Sequence, residues 1–282
     1  MKMDSENVLT ALADLFLPRL CCVCGNELGR NERYICLNCL ADMPITLNWL
    51  VRRNPMAERF NALIAGHEAS EPDGMNERIS PESDVLGVEC FSRYVYAVAL
   101  FNFVKDGGYR NITYRLKYSR DISEGRFFAA MLGERVSRAE WLSDVDTVIP
   151  VPLHWTRRLR RGYNQAEVIA SEVAKALGAR LRTDILTRCR RTTTQTKLGV
   201  EEKSRNVSGA FALNRHFVRH YDTEVHSQQD EADGSAVGRN VSHILLVDDV
   251  FTTGSTLYNC WKPLHDFFGV SVRISIATLG VV

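Results

Sequence analysis

The chain has 282 residues, about two domains' worth of material, with 45% apolar and 24% charged residues. That composition excludes wholesale disorder, and no stretch reaches the ~18 uninterrupted apolar residues of a membrane span. The formal net charge is +1, so bulk charge does not make the molecule a polyanion binder. Charge is distributed unevenly, however: residues 150–215 hold fourteen Lys/Arg against five Asp/Glu, and residues 66–92 hold one Arg against seven acids. A basic block on a neutral chain points to a localised anion site.

In chain order, residues 5–17 read as a short amphipathic helix ending at Pro18. Asp4, Glu6 and Asp14 make this segment unlike a signal peptide, which implies a cytoplasmic protein. A cysteine-rich segment follows. Cys21-x2-Cys24 and Cys36-x2-Cys39 are separated by eleven residues, and each pair forms a turn that can aim two sulfurs at one ion. Four thiolates make a closed tetrahedral site, so a structural Zn²⁺ is expected on Cys21, Cys24, Cys36 and Cys39. Gly25 falls where such a turn needs positive φ. Cys22 has the wrong spacing to Cys24, and Cys90, Cys189 and Cys260 read as packing residues. The expected organisation is a helix plus zinc module over 1–45, a connecting helix and acidic linker over 46–92, and an α/β domain over 93–282. Loss of zinc is expected to loosen residues 1–45 and spare the ligand site of the last part.

Within the large domain, Tyr94–Phe103 is strand-like, and Ile112–Tyr118 and Ile122–Trp141 are helix-like. Thr147–Val151 is a short β-branched run, and Asn164–Leu177 has helical spacing and stops at Gly178. Ile185–Leu186 and Ala210–Leu213 are short strand candidates. Residues 216–240 are polar and read as a loop or hairpin extension. Ile244–Val247 has the continuous apolar character of a buried parallel strand, followed by a helix from Ser255 to Phe268 and a last strand over Val272–Ala277. Strands alternating with helices predict an α/β fold, a mainly parallel sheet flanked by helices.

The chemistry concentrates in Ile-Leu-Leu-Val-Asp-Asp-Val-Phe-Thr-Thr-Gly-Ser-Thr, residues 244–256. Two carboxylates, Asp248 and Asp249, end a buried strand, and ligands of open α/β sheets sit beyond such ends. Thr252, Thr253, Gly254, Ser255 and Thr256 then open a helix, offering N–H groups and hydroxyls to a phosphate. Carboxylates beside a phosphate site suit ribose hydroxyls or a sugar-bound Mg²⁺. The Gly-x4-Gly-Lys pattern of a Walker A loop is absent.

This segment resembles the phosphoribosyl pyrophosphate (PRPP) motif of type I phosphoribosyltransferases. Further stretches resemble the ComF family: Val148-Ile149-Pro150-Val151-Pro152-Leu153-His154, then Arg157-Arg158-Leu159-Arg160-Arg161-Gly162-Tyr163-Asn164-Gln165-Ala166. Leu186-Thr187-Arg188-Cys189-Arg190-Arg191-Thr192 with Gln195, Leu198, Asn206-Val207 and Gly209-Ala210-Phe211 belongs with them, as do Arg115-Leu116-Lys117-Tyr118 and the four-cysteine module. Lys203 stands where the family pattern has Arg, and residues 66–89 and 216–240 look like extensions.

The resemblance implies a type I phosphoribosyltransferase-like domain that binds PRPP with Mg²⁺. Asp248 and Asp249 would meet the ribose diol, and the 252–256 loop the 5′-phosphate. Pro152, Leu153 and His154, with Arg161 and the lid residues Arg188, Arg190 and Lys203, would face the pyrophosphate. His154 reads equally as a phosphate contact or a plain turn residue. Three functions stay open: transfer of the phosphoribosyl group to an unidentified nucleophile, binding of PRPP, a nucleotide or single-stranded DNA without catalysis, and a paralogue that no longer turns over. ComF proteins are associated with DNA uptake in competence, so DNA and competence proteins are expected partners. Trp155 and Tyr163 beside the arginine run offer modest support for base stacking.

Overall fold

A computed structural model describes residues 18–69, 94–104, 107–118, 122–189, 209–227 and 241–282. The helix expected over 5–17, the acidic stretch beyond residue 69, Cys90, Arg190 and Lys203 lie outside the described residues.

Five parallel strands form the central sheet: β1 (Ala97–Asn102), β2 (Thr147–Pro150), β3 (Arg180–Leu181), β6 (His243–Phe251) and β7 (Arg273–Val281), in spatial order β1-β7-β6-β2-β3. The predicted parallel α/β architecture is therefore present. β1, β2 and β7 are buried almost throughout, because helices cover both faces of the sheet. β6 runs longer than its apolar core suggests: Val250 pairs with Gly280 and Phe251 with Val281, so Asp248 and Asp249 lie inside the ladder. A separate antiparallel pair, β4 (Leu186–Arg188) and β5 (Phe211–Leu213), brackets residues 190–208.

The helices are α1 (Leu37–Ala41), α2 (Pro55–Glu68), α3 (Arg110–Tyr118), α4 (Ile122–Ser137), α5 (Trp155–Arg161), α6 (Gln165–Leu177), α7 (Arg215–Ser227) and α8 (Ser255–Phe268). No helix among the described residues is long and apolar enough to cross a membrane. α7 departs from the expected loop over 216–240. Its composition is polar, but Phe217 and Tyr221 recur one turn apart and pack on Phe267 and Phe268 of α8. Tertiary burial of that narrow apolar edge outweighs the weak local signal.

Two buried cores result, one on each face. The first gathers Ala97, Ile149, Ile244 and Leu246 with α2 and α8, for example Phe60 and Cys260. The second gathers Val98, Leu245 and Val247 with α3, α4 and α6, for example Leu116, Phe128 and Ile169. The free edge of β1 is covered by residues 44–46: Asn102 N donates to Pro44 O at 2.7 Å and Thr46 N to Leu100 O at 3.2 Å. Asn54 caps α2, accepting from Ala57 N at 3.1 Å, and its amide donates to Ala97 O at 2.9 Å. One side chain thus starts the helix and ties it to the sheet.

At the opposite end of the sheet from the carboxylate pair, His243 is fully buried. Its Nδ1 lies 2.8 Å from Asp144 Oδ1 and its Nε2 2.8 Å from Ser275 Oγ. Burial pushes its pKa down to about 4, against partial opposition from Asp146. The folded chain therefore resists a proton that the unfolded chain accepts near pH 6.5. Stability conferred by neutral His243 is present above pH 6.5 and drains away as pH falls toward 4. Urea unfolding should show a loss of about 2 kcal/mol from this group between pH 7.5 and pH 5. His243→Gln should flatten that interval; an equally steep profile in the variant would assign the acid sensitivity elsewhere.

Candidate functional site

Successive side chains of a strand point to opposite faces. Along β6, Ile244 and Leu246 enter the first core and Leu245 and Val247 the second. Continuing the alternation, Asp248 faces the α8 side and Asp249 the α3 side. The electrostatic neighbours agree: Asp248 acts on Cys260 of α8 and on Arg188, while Asp249 Oδ2 lies 2.6 Å from Lys117 Nζ of α3. Lys117 acts on both carboxylates but lies at contact distance from Asp249, and Arg188 adds its charge to Asp248. Asp248 Oδ1 accepts the backbone N–H of Asp249 at 2.8 Å. Burial, reinforced by the charge of Asp249, pushes the Asp248 pKa up to about 7. The pair is thus poorly compensated as two full negative charges and is suited to a cation or to hydrogen-bond donors.

The loop after β6 turns directly into the N-terminus of α8. Gly254 caps α8 with φ 81°, a conformation that favours glycine. A Cβ there would also come within 3.1 Å of the Phe251 ring and 3.2 Å of Leu63. Thr253 Oγ1 and Ser255 Oγ lie 2.9 Å apart, and Ser255 N donates to Thr253 Oγ1 at 3.4 Å. Thr252 is exposed, and Thr253, Ser255 and Thr256 are half-buried. The loop is held from below by α2. Arg59 donates to Thr252 O at 2.6 Å and to Val282 O at 2.5 Å, with its guanidinium 5.2 Å over the Phe251 ring. The segment 46–68, read from sequence as a connection, is the brace of the loop.

The turn after β2 sits next to β6, because Val151 N donates to Val247 O at 2.8 Å. Pro152 and Leu153 are half-buried; His154 is 6% exposed. His154 caps α5, its Nδ1 accepting from Thr156 N at 3.3 Å.

Cations ring this edge. Arg161 Nη1 donates to Gln165 Oε1 at 2.8 Å, and its guanidinium lies 5.2 Å over Tyr118. Arg161 Nε and Gln165 Nε2 are buried without a hydrogen-bond partner among the described residues. Burial and then the charges of Arg188, Arg161 and Arg160 disfavour protonated Arg157, and burial does the same to Arg188. Like charges crowded in this way are stabilised by an anion. The structure thus gathers Asp248, Asp249, the 252–256 loop, Pro152–His154, Arg161 and Arg188 at one edge. It adds three residues to which sequence reasoning gave no role: Lys117, Arg157 and Arg59. Lys117 and Arg157 stand within quoted motifs, but only the folded chain brings Lys117, 132 residues earlier, to Asp249.

The four-cysteine module is compact. Ligand sulfurs of Cys21, Cys24, Cys36 and Cys39 all lie within 4.8 Å of one another, so the set can hold one metal ion. Cys24 and Cys36 sulfurs are 3.8 Å apart, and the Cys36 and Cys39 N–H groups point at Cys21 and Cys36 sulfurs at 3.4 and 3.5 Å. Gly25 takes φ 75° at the turn. Burial opposes ionisation of Cys21, but N–H groups of Cys24, Cys36 and Val23 more than offset it and lower its pKa to about 6. Soft thiolates in this closed arrangement fit Zn²⁺. Cys22 is not one of the four clustered sulfurs and is buried in the second core. The module is part of that core: Cys21, Cys22, Ile35 and Met43 join Leu116 and Phe128. Tyr109 at the start of α3 donates to Cys39 O at 2.8 Å, and Val23 O packs against Gly108.

A scan against protein-family models gives no match. Relatives are nonetheless clear. Over 246 residues, 86% of this chain and 89% of the relative, the sequence is 30% identical to the DNA utilization protein YhgH of Salmonella typhi. Over 157 residues, 54% of this chain, it is 31% identical to Competence protein F of Haemophilus influenzae, and the match spans 59% of that protein. YhgH of Escherichia coli K12 is 30% identical over 149 residues, 56% of its length. In these last two the chain spans little more than half of the relative.

Two predictions follow from the geometry. Arg59→Ala removes two charge-assisted bonds to carbonyls and should cost about 1 kcal/mol while speeding amide exchange of residues 252–255. Unchanged exchange there would show that the loop holds its own shape. Metal chelation, or Cys36→Ser, should lower the main unfolding midpoint of the whole chain, because the module shares a core with α3 and α4. The expectation that zinc loss stays local makes the opposite prediction. A small separate transition with the main one unmoved would bear it out.

Proposed function

The chain belongs to the ComF family, and from that premise we propose that it binds PRPP, with Mg²⁺, at the carboxyl edge of its parallel sheet. The observation that carries this reading is the convergence on one edge of a carboxylate pair, a hydroxyl- and glycine-rich helix N-terminus and a crowded arginine group. The 5′-phosphate is assigned to residues 252–256, where backbone N–H groups and hydroxyls stand at the N-terminus of α8. The ribose diol is assigned to the Asp248–Asp249 end of β6. The pyrophosphate is assigned to the side of Pro152–His154, Arg157, Arg161 and Arg188, with Arg190 and Lys203 on the connection that follows β4. Arginine suits this role because its planar fork meets phosphate oxygens two at a time.

The hard oxygen donors of Asp248 and Asp249 fit Mg²⁺ better than a soft metal, and the four cysteines fit Zn²⁺. Mg²⁺ would neutralise a departing pyrophosphate. The protein's own share is orientation and charge. The carboxylates hold the sugar, and the arginines stabilise negative charge as it builds on the leaving group. Transfer to a nucleophile is the proposed reaction. A site that binds without turnover has the same geometry, and a product assay separates the two.

A second reading is supported by exposed aromatics on the same face. Trp155 and Tyr118 stand 65% and 54% exposed, and Tyr114 and Tyr118 lie 4.7 Å apart, beside Arg157 and Arg161. Aromatic surfaces interleaved with arginine suit stacked bases of single-stranded DNA. The relatives' printed names, competence and DNA utilization, accord with DNA as a partner of this chain.

Calorimetric titration with PRPP and Mg²⁺ is expected to show micromolar binding. Asp248→Asn combined with Asp249→Asn should weaken it at least a hundredfold without altering the fold. Equal affinity in the double variant would refute the assignment. If the intact protein ignores PRPP but binds single-stranded DNA with affinity falling steeply in salt, the second reading takes its place.

A further inference from the structure

Lys117 is the feature of this edge that the reading above leaves without a task. Its ammonium meets Asp249 at 2.6 Å, in the space where a ribose hydroxyl or a sugar-bound cation would approach that carboxylate. We propose that Lys117 is a specificity-determining residue of the ligand site: it occupies Asp249 in the empty protein and moves onto the anionic group of a ligand that carries both a diol and an adjacent anion. This inference rests on the assignment of the sugar to the Asp248–Asp249 end of β6.

The helix that carries Lys117 is anchored, so only the side chain is free to move. Leu116 is 1% exposed, and its side chain leaves no room for a Cβ on Gly125 of α4. The Leu116 carbonyl accepts the Tyr163 hydroxyl, and Arg115 Nε pairs with the buried Glu124 carboxylate at 2.8 Å. Lys117 itself is 29% exposed and has four rotatable side-chain bonds. A divalent cation arriving at Asp249 would repel the ammonium, and a hydroxyl would compete for the same oxygen. The ammonium then needs another partner. Arg161, Tyr118 and Arg157 lie on the same side, and Arg161 is close enough to oppose the charge of Lys117. An anion bound by those arginines is the nearest acceptor.

The consequence is discrimination between ligands. A sugar phosphate without an anomeric anion must displace Lys117 and leaves it only the more distant charge of Asp248. PRPP displaces it and supplies its new partner. Burying a cation without a partner is costly, so the empty-state ion pair acts against incomplete ligands.

The test is calorimetric titration of ribose 5-phosphate and of PRPP, each with Mg²⁺, into the wild type, Lys117→Met and Lys117→Arg. Thermal unfolding of each variant is the control, and Lys117→Gln substitutes if the Met variant does not fold. The wild type should prefer PRPP strongly. Lys117→Met should lose about tenfold or more in PRPP affinity, the size of one charge-assisted contact, while ribose 5-phosphate binds as well or better. Lys117→Arg should retain more of the preference than Lys117→Met. Equal losses for both ligands, or no change for either, would overturn the role of Lys117 and leave the PRPP reading standing. A wild type that binds neither ligand would overturn both.

Discussion

Two neighbouring carboxylates near the end of a strand buried on both faces need cations from both sides. That constraint organises this molecule. The strand must be buried, because it is the centre of a parallel sheet; its side chains must alternate, so Lys117 pairs closely with Asp249 and acts on Asp248 only from farther off. Lys117 approaches Asp249 from the α3 side and Arg188 influences Asp248 from the α8 side. The elements that deliver these cations are secured accordingly: α3 by Leu116, Tyr163 and the Arg115–Glu124 pair, and Arg188 by the β4–β5 ladder and the Phe211 ring 4.9 Å away.

The same logic ties the cysteine module to the site. Its buried side chains complete the core on which α3 and α4 rest, and Tyr109 fastens the start of α3 to Cys39. A four-thiolate centre has no open position for chemistry, so its influence is mechanical. It holds up the wall of the domain on which α3 and α4 rest. α2 performs the corresponding service on the other face, where Arg59 and Leu63 support the 252–254 loop.

The two ends of the sheet are polar in different ways. At the amino end, His243, Asp144, Asp146, Ser242 and Ser275 satisfy one another through short hydrogen bonds. Nothing there asks for a ligand. At the carboxyl end, arginines crowd one another, Asp248 resists ionisation, and Arg161 Nε and Gln165 Nε2 lack partners among the described residues. Unbalanced charge at one end and closed networks at the other make the carboxyl edge the candidate site.

Much was legible in the sequence because it was local. The strand–loop–helix of 244–268, the paired C-x-x-C turns and the caps at Asn164 and Gly178 depend on residues a few positions apart, and their spacing carried the geometry. The α/β class followed from the alternation of elements. What the sequence could not display was whatever depends on distant residues meeting. α7 looked like a loop until α8 supplied its apolar partner. The stretch over 46–68 looked like a connection, and its Arg59 acquired a role only on reaching Thr252. Lys117 was one lysine in a motif until folding carried it across the sheet edge to Asp249. Local patterns determined which groups the chain would present; packing decided which of them would share a site, since ion pairs, braces and a common core are properties of proximity in space.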